Sequence, residues 1–156
     1  MKKGLKHPKK KGSKWERDAV KLLNENFPDT WKKIPMSGAA GTILNIAVLK
    51  PDLIGKYDHF DKVFAGEAKT GYGGATQLTL KRKWFDKIAM QASEMFAVPM
   101  LFGKFSGSKS DTRYFVAMTF QAWDDLMNQV ADLYEENIEL RKQNEELQRP
   151  TDRRME

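Results

Sequence analysis

Two short runs, Pro51-Asp52 and Glu67-Ala68-Lys69, hold the residue types that hydrolysis of a phosphodiester needs. That reaction requires a cation to neutralise the non-bridging oxygens and to acidify an attacking water. Carboxylates must hold the cation. Side chains alternate along a strand, so Glu67 and Lys69 project from the same face, two rises apart. Asp52 follows a proline near the start of a second strand and can meet Glu67 across a hairpin. The two acids then bind the metal, the Lys69 ammonium orients or stabilises the hydroxide, and the backbone carbonyl of Ala68 is a further candidate ligand. Glu16 fits the same scheme, because it falls within the apolar arc of a helix, where a carboxylate is costly unless compensated. A metal would compensate it, and so would a role in capping that helix. Any one of these pieces arises by chance in many chains; the reading rests on their conjunction, three inward polar residues in order on suitable elements.

The elements that must position them follow from periodicity. Ser13 and Glu16 have capping-box spacing, which predicts a helix from about Ser13. At 100° per residue Trp15, Ala19, Val20, Leu22, Leu23 and Phe27 fill one arc, with Arg17, Asp18, Lys21, Asn24 and Glu25 opposite, until Pro28 and Asp29 end the helix. The run "WKKIP" reads as a short strand, and Ser37 to Thr42 as a small-residue loop. A strand including Asp52 to Ile54, a turn over 56–61 and a returning strand over 62–69 make the hairpin. After "TGYGG" a second amphipathic helix over 78–96 puts Trp84, Phe85, Ile88, Ala92 and Met95 on one side, and Pro99 closes it. "MLFGKF" and "TRYFVAMT" follow as strands joined by a turn at 106–111. The expected fold is α/β, a central mixed sheet flanked by helices. In the last segment Leu126, Leu133, Leu140 and Leu147 recur every seven residues, with Val130, Asn137 and Asn144 in the companion position. That is a leucine-zipper pattern.

Composition narrows the chemistry further. A chain of 156 residues with 40% apolar content can bury one core. No apolar run approaches the roughly 20 residues that cross a bilayer, and the lysine-rich start lacks a secretory apolar region. A soluble, cytoplasmic protein is expected, in the host cytoplasm if the source is a phage. Cysteine is absent and there are two histidines, which excludes a disulfide framework and a thiolate zinc site. The metal implied is therefore Mg²⁺ or Mn²⁺, held by oxygen ligands, and no small-molecule cofactor is expected.

The net charge of +6 is uneven: residues 1–14 carry seven lysines and no acid, whereas 121–148 carry eight acids against Arg141 and Lys142. Basic charge at the N-terminus without an amphipathic basic helix suits an anionic polymer better than a membrane. Four segments are expected: a flexible basic arm over 1–12, a catalytic domain over 13–120, a coiled-coil dimerisation helix over 121–148 and a flexible tail over 149–156. Lys81, Arg82 and Lys83, just after the catalytic strand, are candidate phosphate contacts or an ordinary solvated helix start.

The runs "KKGSKWERDAVKLLNENF" (10–27), "IPMSG" (34–38), "PDLIG" (51–55) and "GEAKTG" (66–71) together resemble the archaeal-type Holliday-junction resolvases, bacteriophage versions included, within the PD-(D/E)xK nucleases. The resemblance spans about residues 10–118. It implies a restriction-endonuclease-like core, a metal site of Glu16, Asp52, Glu67 and Lys69, and a neighbouring serine, Ser37. It also implies a two-fold homodimer that binds four-way DNA through basic residues near the N-terminus, here Lys9, Lys10, Lys11 and Lys14. The stretch from Ser37 to Asp52 is longer than in compact archaeal members, and the acidic zipper is not part of their pattern. Two other readings stand beside it: a PD-(D/E)xK endonuclease with another DNA target, in phage DNA processing, nicking or restriction, and a non-catalytic DNA-binding dimer. A basic-zipper regulator is disfavoured because "AMTFQAWDD", which feeds the heptads, carries no basic region.

Overall fold

The computed structural model describes residues 8–35, 50–71, 77–107 and 113–148. It divides into two compact units, Met1–Ala122 and Trp123–Glu156. The first helix, α1, runs from Pro8 to Asn24. It starts earlier than the expected capping box, because a proline with its fixed φ and missing N–H is suited to the first turn. Ser13 is consequently interior to the helix and caps nothing. Its hydroxyl instead accepts hydrogen bonds from Lys33 Nζ at 2.9 Å and Arg17 Nη1 at 3.2 Å. Residues 8–12, expected in a flexible arm, are helical in backbone; residues 1–7 and 149–156 lie outside the described residues.

The helix also ends before Phe27, which sequence periodicity assigns to its apolar arc. The side chain of Asn24 donates to the Trp31 carbonyl at 2.9 Å and accepts from the Trp31 N–H at 2.8 Å. This two-way bond stands in for a strand neighbour and turns the chain back toward the sheet. Phe27 leaves the helix and packs edge-on against Tyr57, with centroids 5.1 Å apart.

Strand β1 spans Trp31–Lys33, β2 Leu53–Gly55 and β3 Phe64–Thr70. Helix α2 covers Arg82–Ser93, β4 Val98–Lys104, β5 Tyr114–Ala117 and α3 Phe120–Gln148. The strands form one sheet in the order β1-β2-β3-β4-β5. The expected hairpin is present: β2 and β3 are antiparallel, with Leu53 opposite Gly66 and Gly55 opposite Phe64. Strand β4 lies parallel to β3 after the α2 crossover, and β5 returns antiparallel to β4. The result is the mixed α/β sheet that the order of elements predicts.

Both faces of β3 are buried, for different reasons. Trp31, Leu53, Phe64 and Phe102 are core residues on one side. The Trp31 ring stands edge-on to Phe102 at 5.2 Å, and its indole N–H donates to the Tyr57 hydroxyl at 2.9 Å. Gly66 permits this arrangement, since a Cβ there would lie 2.7 Å from the Phe102 ring. Helix α1 is tied to the same layer by Trp15, whose Nε1 donates to the Phe102 carbonyl at 3.2 Å and whose ring stacks on Tyr114 at 5.4 Å. On the other face Ala65 is buried against Ile88 and Ala92 of α2.

Helix α2 is shorter than the expected 78–96. Lys81 is extended, with φ −96° and ψ 127°, and so sets the start. At the other end Phe96 has φ 52°. The Ala97 N–H bonds to the Ala92 carbonyl at 2.9 Å and the Phe96 N–H to the Ser93 carbonyl at 3.4 Å. This is a Schellman termination with phenylalanine where glycine is usual. Pro99 closes nothing and lies inside β4, opposite Ala65. The Val98 N–H points to β3, bonding the Val63 carbonyl at 2.8 Å, so alternation turns the Pro99 nitrogen to the far side. Pairing with β5 begins only at Leu101, so no ladder bond is lost.

The second unit holds most of α3, which is continuous through all four heptad leucines to Gln148. Trp123, Val130, Leu140 and Leu147 are exposed along it. Among the described residues no helix is long and apolar enough to cross a membrane.

Candidate active site

The acids singled out by the sequence meet around one cleft. It has a volume of about 580 Å³, and Glu16, Asp52, Glu67, Ala68, Lys69, Lys81 and Trp84 are among the residues lining it. The cleft lies at the carboxyl end of β3, the end of a strand at which open α/β sheets commonly bind ligands. Three separate elements deliver the acids. The Trp15 anchor, together with buried Ala19, seats α1 on the sheet and brings Glu16 to the cleft. Asp52 immediately precedes β2, and the Leu53–Gly66 pairing sets it across from Glu67. Asp52 Oδ2 accepts the Ala68 N–H at 2.9 Å, which pins the aspartate to β3.

Glu67 is only 3% exposed. A buried carboxylate must be matched by partners, and here each oxygen has an ammonium. Lys69 pairs with Oε1, and Lys87 of α2 donates to Oε2 at 2.7 Å. Lys69 also sits over the Trp84 ring, 5.6 Å from its centroid. Glu16 is matched in the same way by Lys33, at 2.9 Å. Both glutamates of the site thus have lysine counter-charges in the fold.

Lys33 and Lys87 are the site residues that sequence reasoning missed. Both left a trace. Lys33 is two residues after buried Trp31, so alternation sends it to the inward face of β1. Lys87 borders the apolar arc of α2, beside buried Ile88.

The expected DNA contacts separate. Lys81 lines the cleft, its Nζ 5.9 Å from the Trp84 centroid. Arg82 turns away to Asp86 at 3.6 Å, and Lys83 and Lys14 are exposed on the surface. Lys9, Lys10 and Lys11 lie on α1, but their side chains are outside the described residues, as is the whole of Ser37.

In donor type the site fits a hard divalent cation: hard carboxylate oxygens from three elements border one cleft, and thiolates and imidazoles are not among the lining residues. Among the described residues no three such groups are gathered into a ready cage. Glu16 is paired with Lys33, and Glu67 with Lys69 and Lys87. The residues that would hold a cation are Glu16, Asp52 and Glu67.

No curated protein sequence matches the chain. Residues 7–153 match the family described as "phage putative PDDEXK endonuclease". The match takes in both β-strands of the Asp52–Glu67 hairpin, the helix that carries Glu16 and the whole of α3. The matched segment covers most of the chain, and the chain belongs to the phage PDDEXK endonuclease family.

Proposed function

We propose that this chain is a divalent-metal-dependent endodeoxyribonuclease that acts as a homodimer and resolves four-way DNA junctions. The observation that carries the nuclease chemistry is the convergence of Glu16, Asp52 and the Glu67–Lys69 pair on one cleft. PDDEXK nucleases generally use divalent metals, and a cation here would supply charge neutralisation at the scissile phosphate and a more acidic water. The protein's own groups do the rest. Asp52, held by the Ala68 N–H, and Glu67, held by two ammoniums, present oxygens in fixed directions. Lys69 projects from the same face as Glu67 and is positioned by Trp84 to orient the attacking water. Lys81, on the cleft wall, is suited to a flanking phosphate.

The choice of substrate rests on symmetry and charge. A resolvase must cut two strands of opposite arms, and a two-fold dimer presents two identical centres related as the arms are. Helix α3 supports such a dimer. With its leucines at d, Asn137 and Asn144 occupy a positions, which favour a parallel two-stranded register. Glu136 at g then faces Arg141 at e of a partner helix. Phosphate contacts carry no base information, so lysines on α1 and at the cleft suit recognition by shape.

The test is incubation of the purified protein with Mg²⁺ and labelled linear, forked and four-way DNAs, alongside Asp52→Asn, Glu67→Gln and Lys69→Ala. Paired nicks in four-way junctions of unrelated sequence are expected, with little cutting of linear duplex, and each variant should bind DNA without cutting it. Equal or faster cutting of linear duplex would overturn junction resolution and leave a general phage DNA-processing endonuclease. Wild-type binding without any cleavage would instead favour a non-catalytic DNA-binding dimer.

A further inference from the structure

The PDDEXK pattern accounts for Lys69 but leaves Lys87 without a role. Its place follows from the packing of α2. Ala65 and Glu67 share one face of β3, and Ile88 and Ala92 bury themselves against Ala65. With Ile88 seated there, the residue before it reaches the next position along that face of the strand. Lys87 Nζ lies 2.7 Å from Glu67 Oε2. Lys69 lines the cleft, whereas Lys87 comes from the helix and is not among the described residues lining the cleft.

We propose that Lys87 is a positioning residue for the catalytic centre, holding Oε2 of the buried Glu67 carboxylate from α2 so that Oε1 faces Lys69 and the cleft. The terminal torsion of glutamate is broad and has little preference of its own, so a carboxylate that is to hold a cation in one direction needs its plane fixed from outside. An ammonium on the oxygen that Lys69 does not hold does that. It also matches the charge of a side chain that is only 3% exposed. Lys87 can be spared for this because its own side chain is 41% exposed, against 23% for Lys69. The opposite role, in which Lys87 stands in the cation's place and competes with it, predicts a change of opposite sign on removal.

This inference rests on the nuclease reading above. The experiment is titration calorimetry of the full chain with Mn²⁺ alone, without DNA, for the wild type, Lys87→Met and Lys87→Arg. Melting curves and the Mn²⁺ dependence of cleavage accompany it. Supporting groups of this kind are worth about 10- to 100-fold in metal affinity. Lys87→Met should weaken Mn²⁺ binding by that factor and raise the Mn²⁺ concentration for half-maximal cleavage, while Lys87→Arg restores most of both. A general loss of folding would lower the melting temperature of both variants together, without rescue by arginine, and would overturn the proposal. Unchanged or tighter Mn²⁺ binding by Lys87→Met overturns it as well. A wild-type protein that neither binds Mn²⁺ nor cuts DNA would overturn the nuclease reading itself, and this role with it.

Discussion

Gly66→Ala should damage stability and catalysis together, because Gly66 is where the packing of the sheet touches the geometry of the site. A methyl group there would stand 2.7 Å from Cε2 and 3.0 Å from Cδ2 of Phe102, and 3.1 Å from Cβ of Leu53. Ordinary carbon contacts lie at about 3.5–4.0 Å, so the neighbours must retreat by roughly half an ångström or more. Phe102 has little room to do so. Its ring is boxed by Trp31, which is tied to Tyr57, and its carbonyl holds Trp15. Overpacking of this kind costs about 1–3 kcal/mol, offset by about 0.5–1 kcal/mol because alanine loses less backbone entropy on folding than glycine. The net loss centres on about 1 kcal/mol, a fall in Tm of roughly 2–4 °C for a chain of this size. Leu53 and Gly66 are paired immediately beside Asp52 and Glu67. A displacement of about 1 Å at a reacting centre can cost about 100-fold in rate, so cleavage should fall well beyond the unfolded fraction. Thermal melting and Mg²⁺-dependent nicking, assayed well below either transition, measure the two effects. A Tm within about 1 °C of wild type would refute the packing argument, and a lowered Tm with full activity would refute the coupling to the site.

Phe96→Gly should raise stability by about 0.5–1 kcal/mol in melting experiments, since it relieves a left-handed residue with φ 52° that is 86% exposed and buries almost nothing; a lower Tm would mean that the ring has a partner. Ending the chain at Trp123 should shift sedimentation from dimer toward monomer if α3 forms the zipper, and an unaltered association state would remove α3 from the interface. Deleting residues 1–7 removes Lys2, Lys3 and Lys6 and leaves α1 whole; the slope of log affinity against log salt should flatten by up to about 0.9 for each of these lysines that meets a phosphate. An unchanged slope would confine DNA contacts to the rest of the protein.

The hairpin was legible because strand alternation and the Pro-Asp and Glu-x-Lys runs are local signals, and Asp52, Glu67 and Lys69 come together as those signals require. Element ends were less so. Ser13 with Glu16 imitates a capping box, yet Pro8 is an equally good helix start and the structure uses it, freeing Ser13 to bind Lys33. Pro99 signals a helix stop, but a strand accommodates it where one edge has no partner. Lys33 and Lys87 were hidden for a different reason: each meets its acid only after folding, Lys87 from 20 residues away. Short-range spacing cannot report such pairs. Glu16 was an open choice between cap and site; it lies inside α1, pairs with Lys33 and lines the cleft, so it does not cap the helix start.

The matching of acids by lysines separates two events that are fused in many small metalloproteins, where the unloaded chain cannot hold its ligands together and folds only around the ion. Here Glu16 and Glu67 already have counter-charges from Lys33, Lys69 and Lys87, so mutual repulsion among the acids does not wait for a cation to be relieved. Chelation should therefore silence the enzyme without melting it, and activity should return as soon as Mg²⁺ does, with no refolding step between. On the metal dependence proposed above, a nuclease built this way would persist as an intact, inert protein and take its readiness to cut from the ionic state of its surroundings.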